Sequence, residues 1–111
     1  MFTIRKDHSF KITVEIPVPQ EDGTFKTESF DGMFEVIGQD EIDTMMTTHL
    51  ANFDAVLVRR VLKGWDRVKD ADGEVVPFSD KALDDVLRVP YQRAAISRAY
   101  TEVLSGARRK N

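Results

Sequence analysis

Apolar residues recur at every second position early in the chain and at helical spacing later. Phe10, Ile12, Val14 and Ile16 share one face, with Lys11, Thr13 and Glu15 on the other. That alternation predicts a half-buried strand. QEDGT follows, and its Asp22-Gly23 pair predicts a hairpin turn because glycine tolerates positive φ. TFKTESF returns with β-branched and aromatic residues as a second strand. Pro17 and Pro19 each lack a backbone donor, which suits an edge or a strand end. The alternation loses phase at Phe30-Asp31-Gly32, so a bulge or bend is expected there before MFEVI resumes.

From Gly38 the period lengthens to that of a helix. Asp40 is the expected N-cap, with Asp43 in the first turn favouring the helix dipole. Ile42, Met45, Met46 and Leu50 then mark one helical face. Asn52 can cap a second helix whose stripe is Phe53, Val56, Leu57, Val61 and Leu62, with Gly64 as its stop. A third helix is expected from Ser79, carrying Leu83, Val86 and Leu87. Pro90 is well placed to open a fourth. Tyr91, Ala95, Ile96, Ala99, Tyr100, Val103 and Leu104 line its inner side, and Gly106 ends it.

These patterns predict an α+β fold: an N-terminal antiparallel β-hairpin or small sheet followed by about four helices. A chain of 111 residues is expected to form one domain. Residues 1–37 are its strand-rich part, 38–106 its helical part, and 107–111 a flexible tail. Apolar residues make up 41% and charged residues 32%, ordinary globular composition. A net charge of −3 is too small for its bulk field to select a nucleic acid or a membrane. Without cysteine there is neither a disulfide framework nor a thiolate metal site. The start, MFTIRKDHSFK, has no apolar run of the secretory kind, and no segment approaches ~18 unbroken apolar residues. The expectation is a protein that stays in the compartment where it is made.

Little in the chain points to catalysis. Asp70-Ala71-Asp72-Gly73 has the look of a calcium loop, but the register fails. With Gly73 at the sixth position, Val68 would be the first ligand and Ser79 the twelfth, and neither supplies the required carboxylate. A turn is the expectation. His8 and His49 lie in different elements without a paired acid, so no metal site is expected. Asp84 and Asp85, adjacent on a helix, point about 100° apart and cannot clamp one proton. No GxSxG, HExxH, P-loop or dinucleotide fingerprint occurs. No enzyme activity and no cofactor are expected.

Charge is uneven near the end. From Asp66 to Leu87 there are seven acids against three bases; from Arg88 to Asn111 there are six bases against Glu102 alone. Arg93, Arg98, Arg108, Arg109 and Lys110 could keep the helix soluble, meet an acidic protein or meet phosphate, in that order of preference. The tyrosines belong to the apolar stripe rather than to a basic, base-stacking face. Met45 and Met46 either fill the core or line an adaptable binding surface. Thr44, Thr47 and Thr48 are poor helix formers, so their helix should be loosely held.

One order of motifs carries more. GW (Gly64, Trp65) is followed by an acidic turn ending DGEVVPFSDKALDDVL. VP then opens a last helix with AY near its middle, and GARRKN follows. This order resembles the tail assembly chaperones of long-tailed bacteriophages and prophages, over roughly residues 34–111. GW, DGEVVPFS (Asp72 to Ser79) and GARRKN carry it best. Trp65 would anchor the loop, with Pro77 and Phe78 closing over its indole and Ser79 capping the restarted helix.

The resemblance implies a non-enzymatic role in the cytoplasm of the bacterial host. Such chaperones associate with the tape measure protein while the tail is built, keep it soluble, help recruit the major tail protein, and are absent from the finished virion. Many are made in two lengths by a ribosomal frameshift, and Lys110-Asn111 can be encoded by A-rich codons. A client that is long and largely helical implies weak, repeated contacts with an apolar surface. From the residues alone, Met45, Met46, Leu50 and Phe53 are the candidate contacts, and homo-oligomerisation is open. Two other readings stay open: a structural tail component such as a completion or connector protein, and a nucleic-acid-binding accessory using the basic final helix.

Overall fold

A computed structural model describes residues 1–107; Arg108, Arg109, Lys110 and Asn111, where most of the expected flexible tail falls, lie outside the described residues. Two strands lead into the helices and a third lies between them, in the order β1 (Ser9–Pro19), β2 (Phe25–Glu35), α1 (Gln39–Thr48), a 3-10 turn (Leu50–Asn52), α2 (Phe53–Val61), β3 (Leu62–Asp66), α3 (Asp80–Leu87) and α4 (Pro90–Leu104). The sheet order is β1-β2-β3. The α+β arrangement predicted from the pattern is the one observed.

The hairpin keeps one register throughout, from Ser9 opposite Glu35 to Pro19 opposite Phe25. Its turn is held where Asp22-Gly23 predicted: Gly23 has φ +86°, and Asp22 Oδ1 accepts from the backbone N–H of Thr24 at 3.0 Å. The expected loss of phase at Phe30-Asp31-Gly32 does not occur. Phe30, Gly32 and Phe34 stay on the buried face in strict alternation. Gly32 reads as a break because it has no side chain, yet the Phe34 ring occupies that space. A Cβ on Gly32 would lie 2.7 Å from Phe34 Cε2.

The irregularity lies between β2 and β3 instead. Phe34 pairs with Leu62 and Met33 with Gly64, which leaves Lys63 as an extra residue, a β-bulge. This corrects the reading of Leu62 and Gly64 as a helix end. α2 stops at Val61, and Leu62 is already extended at φ −81°, ψ 115°. The bulge puts Leu62 and Trp65, three residues apart, both on the buried side, and that spacing imitates a helix. The first cap is also corrected: Gly38 caps α1, while Asp40 and Glu41 occupy its first turn. Asn52 does precede α2, but its side chain makes no capping hydrogen bond. Ser79 caps α3 by accepting from Ala82 N at 3.1 Å, and Pro90 opens α4, both as expected.

One core joins the layers. Val14, Phe30 and Phe34 from the sheet meet Leu57, Val58 and Val61 of α2, Leu83 and Leu87 of α3, and Ile96, Ala99 and Tyr100 of α4. Phe10 stacks with Phe34 at 5.5 Å and with Tyr100 at 5.8 Å between ring centroids. The Tyr100 hydroxyl donates to the Glu35 carbonyl at 2.9 Å, which satisfies the one polar atom of a fully buried ring. Burial raises its pKa above the ordinary tyrosine value. Leu104, expected on the inner side of α4, is exposed.

Trp65 is 7% exposed and holds the loop that follows it. Its Nε1–H donates to the Val76 carbonyl at 2.8 Å, and Phe78 meets its face edge-on at 4.9 Å. Phe30 meets it edge-on from the sheet at 6.2 Å. Pro77, expected to help close over the indole, is exposed; Val76 and Phe78, on either side of it, are the residues turned inward. Trp65→Ala is expected to lower stability by ~3–5 kcal/mol, seen as a shift in urea midpoint at unchanged m-value. Trp65→Phe should lose less, about 1–3 kcal/mol, chiefly because the Val76 carbonyl loses its donor.

Candidate binding surface

The four residues singled out on the first helical stretch do not form one face. Met45 is 8% exposed and belongs to the core, and Phe53 is half-buried against it. Met46 and Leu50 are 47% and 76% exposed. The split follows from geometry: neighbouring helical residues diverge by about 100°. Leu50 lies beyond the end of α1, in the 3-10 turn, so it no longer follows the phase of the helix. What remains is an exposed apolar pair. Near it lies an open depression of about 630 Å³, lined by Thr44, Met45, Thr48, His49 and Val56, with Asp40 and Glu41 also in its wall.

α1 is held lightly by apolar contacts and firmly by one polar clamp. Gly38 gives no side-chain cap, and Thr44 and Thr47 turn their hydroxyls back onto the Asp40 and Asp43 carbonyls at 3.0 Å each. Such back-bonding satisfies the hydroxyls without tying the helix to anything else. The clamp is Arg60 of α2. Its Nε and Nη2 reach Glu41 at 2.5 and 3.2 Å, and Nη1 reaches Glu35 of β2 at 3.1 Å. Hydrogen bonds to Glu41 and then Glu35 raise the guanidinium pKa further, so Arg60 stays charged. α1 carries Asp40, Glu41 and Asp43 and no lysine or arginine, so Met46 sits on an acidic helix and Leu50 just past its end.

The other sequence candidates are accounted for locally. Asp70 forms the turn it predicted, accepting from Asp72 N and Glu74 N at 2.9 and 3.0 Å, with Gly73 at φ +80°. Among the described residues no three of His, Cys, Asp and Glu come together as a metal site. Asp84 pairs with Arg59 of α2, whereas Asp85 pairs with Lys81 at 3.3 Å on its own helix, so the two carboxylates diverge as expected. Arg93 lies 3.1 Å from Asp54, tying α4 to α2. No helix among the described residues is long and apolar enough to cross a membrane.

Sequence reading missed the polar cluster on the outer face of the sheet. Arg67 adopts φ +65°, the one positive φ of a non-glycine residue among those described. Its Nε and Nη2 grip Asp31 at 2.9 and 3.1 Å, and Thr13 donates to the same carboxylate at 2.9 Å. Alongside, Lys11 meets Asp66 at 3.1 Å. Asp31 faces outward between two strands, and only the pairing of β2 with β3 brings it to Arg67. No local signal in GWDRVK marks Arg67 as the residue at which the chain turns out of the sheet.

Comparison with protein-family models, curated proteins and solved structures found no match.

Hydrogen bonds from Arg67 and then Thr13 hold the Asp31 carboxyl down at about 2. A depressed folded-state pKa adds stability that is full above the unfolded value, near 4, and is lost as pH falls toward 2. Asp31→Asn should therefore be less stable than the parent at neutral pH. The gap in urea midpoint between the two should close between about pH 4 and pH 2. A gap independent of pH would mean that the charge of Asp31 contributes nothing.

Proposed function

We propose that this chain is a tail assembly chaperone of a long-tailed phage or prophage. In this reading it binds apolar helical segments of a tape measure protein through Met46 and Leu50. The observation that carries the surface is the exposed apolar pair at the end of an acidic helix. Methionine and leucine side chains adapt to many apolar sequences, and a surface that must meet a long client repeatedly needs adaptability more than a deep pocket. Asp40 and Asp43 of α1 favour client segments that carry lysine or arginine beside their apolar residues, whereas Glu41 is already held by Arg60. The family resemblance of residues 34–111 supplies the biological setting: work in the host cytoplasm during assembly, help in recruiting the major tail protein, and absence from the finished virion. A longer, frameshifted product belongs to the same proposal.

The reading as a nucleic-acid-binding accessory is weaker. Arg93, one of its proposed phosphate contacts, is engaged with Asp54. A structural tail component differs from a chaperone in its presence in purified virions.

Co-expression is the test. The chain should raise the soluble fraction of the tape measure protein encoded beside it. Met46→Asp with Leu50→Asp should abolish that effect. Both residues are exposed, so the variant should stay within about 1 kcal/mol of the parent stability. A soluble client with the double variant would put the binding surface elsewhere; no effect from the parent chain would overturn the chaperone reading.

A further inference from the structure

The β-hairpin extends past the third strand, and one of its edges is left open there. β3 pairs with β2 only from Asp31 to Phe34. Had it run straight on, Val68 would face Ser29 and Asp70 would face Thr27. Arg67, at φ +65° and locked onto Asp31, turns the chain out of the ladder instead, and Arg67, Val68 and Lys69 stand off from Glu28 and Ser29 across a cavity of about 180 Å³. Phe25, Lys26, Thr27, Glu28 and Ser29 are all exposed.

The hydrogen-bond phase shows which groups are free. His8 accepts from Val36 N at one end of the hairpin, and Gln20 donates to Thr24 O at the other, both at 2.8 Å. Even-numbered residues of β1 and β2 therefore bond to each other, and odd-numbered residues of β2 point the other way. Asp31 and Met33 use that direction to meet Asp66 and Gly64 of β3. Phe25, Thr27 and Ser29 aim their N–H and C=O groups into the same direction, and among the described residues no strand receives them. The opposite edge of the hairpin differs. Pro17 and Pro19 fall at outward-facing positions of β1, where each removes a donor.

We propose that a second copy of this chain pairs with the open β2 edge, antiparallel and centred on Thr27. The segment Phe25-Lys26-Thr27-Glu28-Ser29 is complementary to itself in that register. Thr27 bonds with Thr27 of the second copy, and Phe25 with its Ser29, using the free outward groups. Lys26 of each copy then stands directly opposite Glu28 of the other at non-hydrogen-bonded positions, where side chains are closest. Both lie on the face that carries Ile16 and Val18. In this register the hairpin turn of one copy comes up to the end of β3 of the other, where Asp66 and Arg67 leave the sheet. The arrangement is two-fold and closed, so it ends at the dimer. A short edge-to-edge contact is a small interface, which places the association in the micromolar range. The inference stands on the hairpin alone and does not depend on the chaperone reading.

Sedimentation of the full chain from about 1 to about 500 µM should show a reversible monomer–dimer equilibrium. A monomer throughout, or open-ended oligomers, would overturn the proposal. Thr27→Pro removes an outward N–H that the monomer does not use and should abolish the dimer with the far-UV circular dichroism of the monomer retained. A persisting dimer would rule out this edge. Lys26→Glu alone and Glu28→Lys alone each set like charges opposite one another twice, and each should weaken the dimer about tenfold or more. The combined variant, Lys26→Glu with Glu28→Lys, restores both pairs and should recover the parent affinity to within about threefold. These exposed charge changes leave the fold intact, so they decide the matter even if the proline variant misfolds. Failure of the combined variant to recover would overturn the register.

Discussion

The ring of Phe34 lies where a Cβ of Gly32 would be, and the packing of every layer depends on that fit. With the space filled, Phe34 stacks against Phe10 across the hairpin and meets the Tyr100 ring of α4 at a tilt of 39°. Leu62 of β3 comes up to the same spot from the other side. A single aromatic side chain thus joins β1, β2, β3 and the last helix. The Tyr100 hydroxyl, bonded to the Glu35 carbonyl beside it, fixes where α4 meets the end of β2. Close-packed interiors tolerate little change of volume at such a point, so glycine at this position is a packing requirement.

β3 is shaped by two local departures from regularity. The bulge at Lys63 lets the chain pass from α2 into the sheet without a loop and still bury both Leu62 and Trp65. The left-handed turn at Arg67 then takes it out again. That turn is a strained conformation for arginine, and the grip on Asp31 holds it in place. Between these two points Trp65 is buried, and its indole N–H organises the loop that returns to α3. Because β3 is short, Phe25 to Ser29 of β2 have no strand on that side among the described residues.

The molecule separates the residues that hold elements in place from those left available. Charged side chains do much of the positioning: Arg60 sets α1 against α2 and β2, Arg59 and Asp84 link α2 to α3, and Arg93 and Asp54 link α4 to α2. Most of these pairs are partly exposed, so each contributes to geometry more than to stability. Apolar side chains left outside, Met46 and Leu50 above all, take no part in that framework. A surface of this kind can meet a partner without disturbing the core beneath it.

The hairpin, its turn, the caps at Ser79 and Pro90 and the stripe of α4 were legible in the sequence, because each follows from local chemistry: side-chain alternation, glycine at positive φ, a hydroxyl three residues before a free N–H, a proline needing no donor. Met45 as a core residue and Met46 as a surface one could not be told apart by composition, since both are methionine and only the direction of approach of α2 decides between them. The third strand was hidden for a related reason. A bulge converts strand spacing into helix spacing, and a bulge exists only when another strand is there to pair against. Asp31 is an unremarkable carboxylate until β3 brings Arg67 to it from 36 residues away. The sequence by itself determined the local elements and the broad fold class. The tertiary structure alone decided which edges, faces and charges remained free, because freedom is set by what the distant parts of the chain cover.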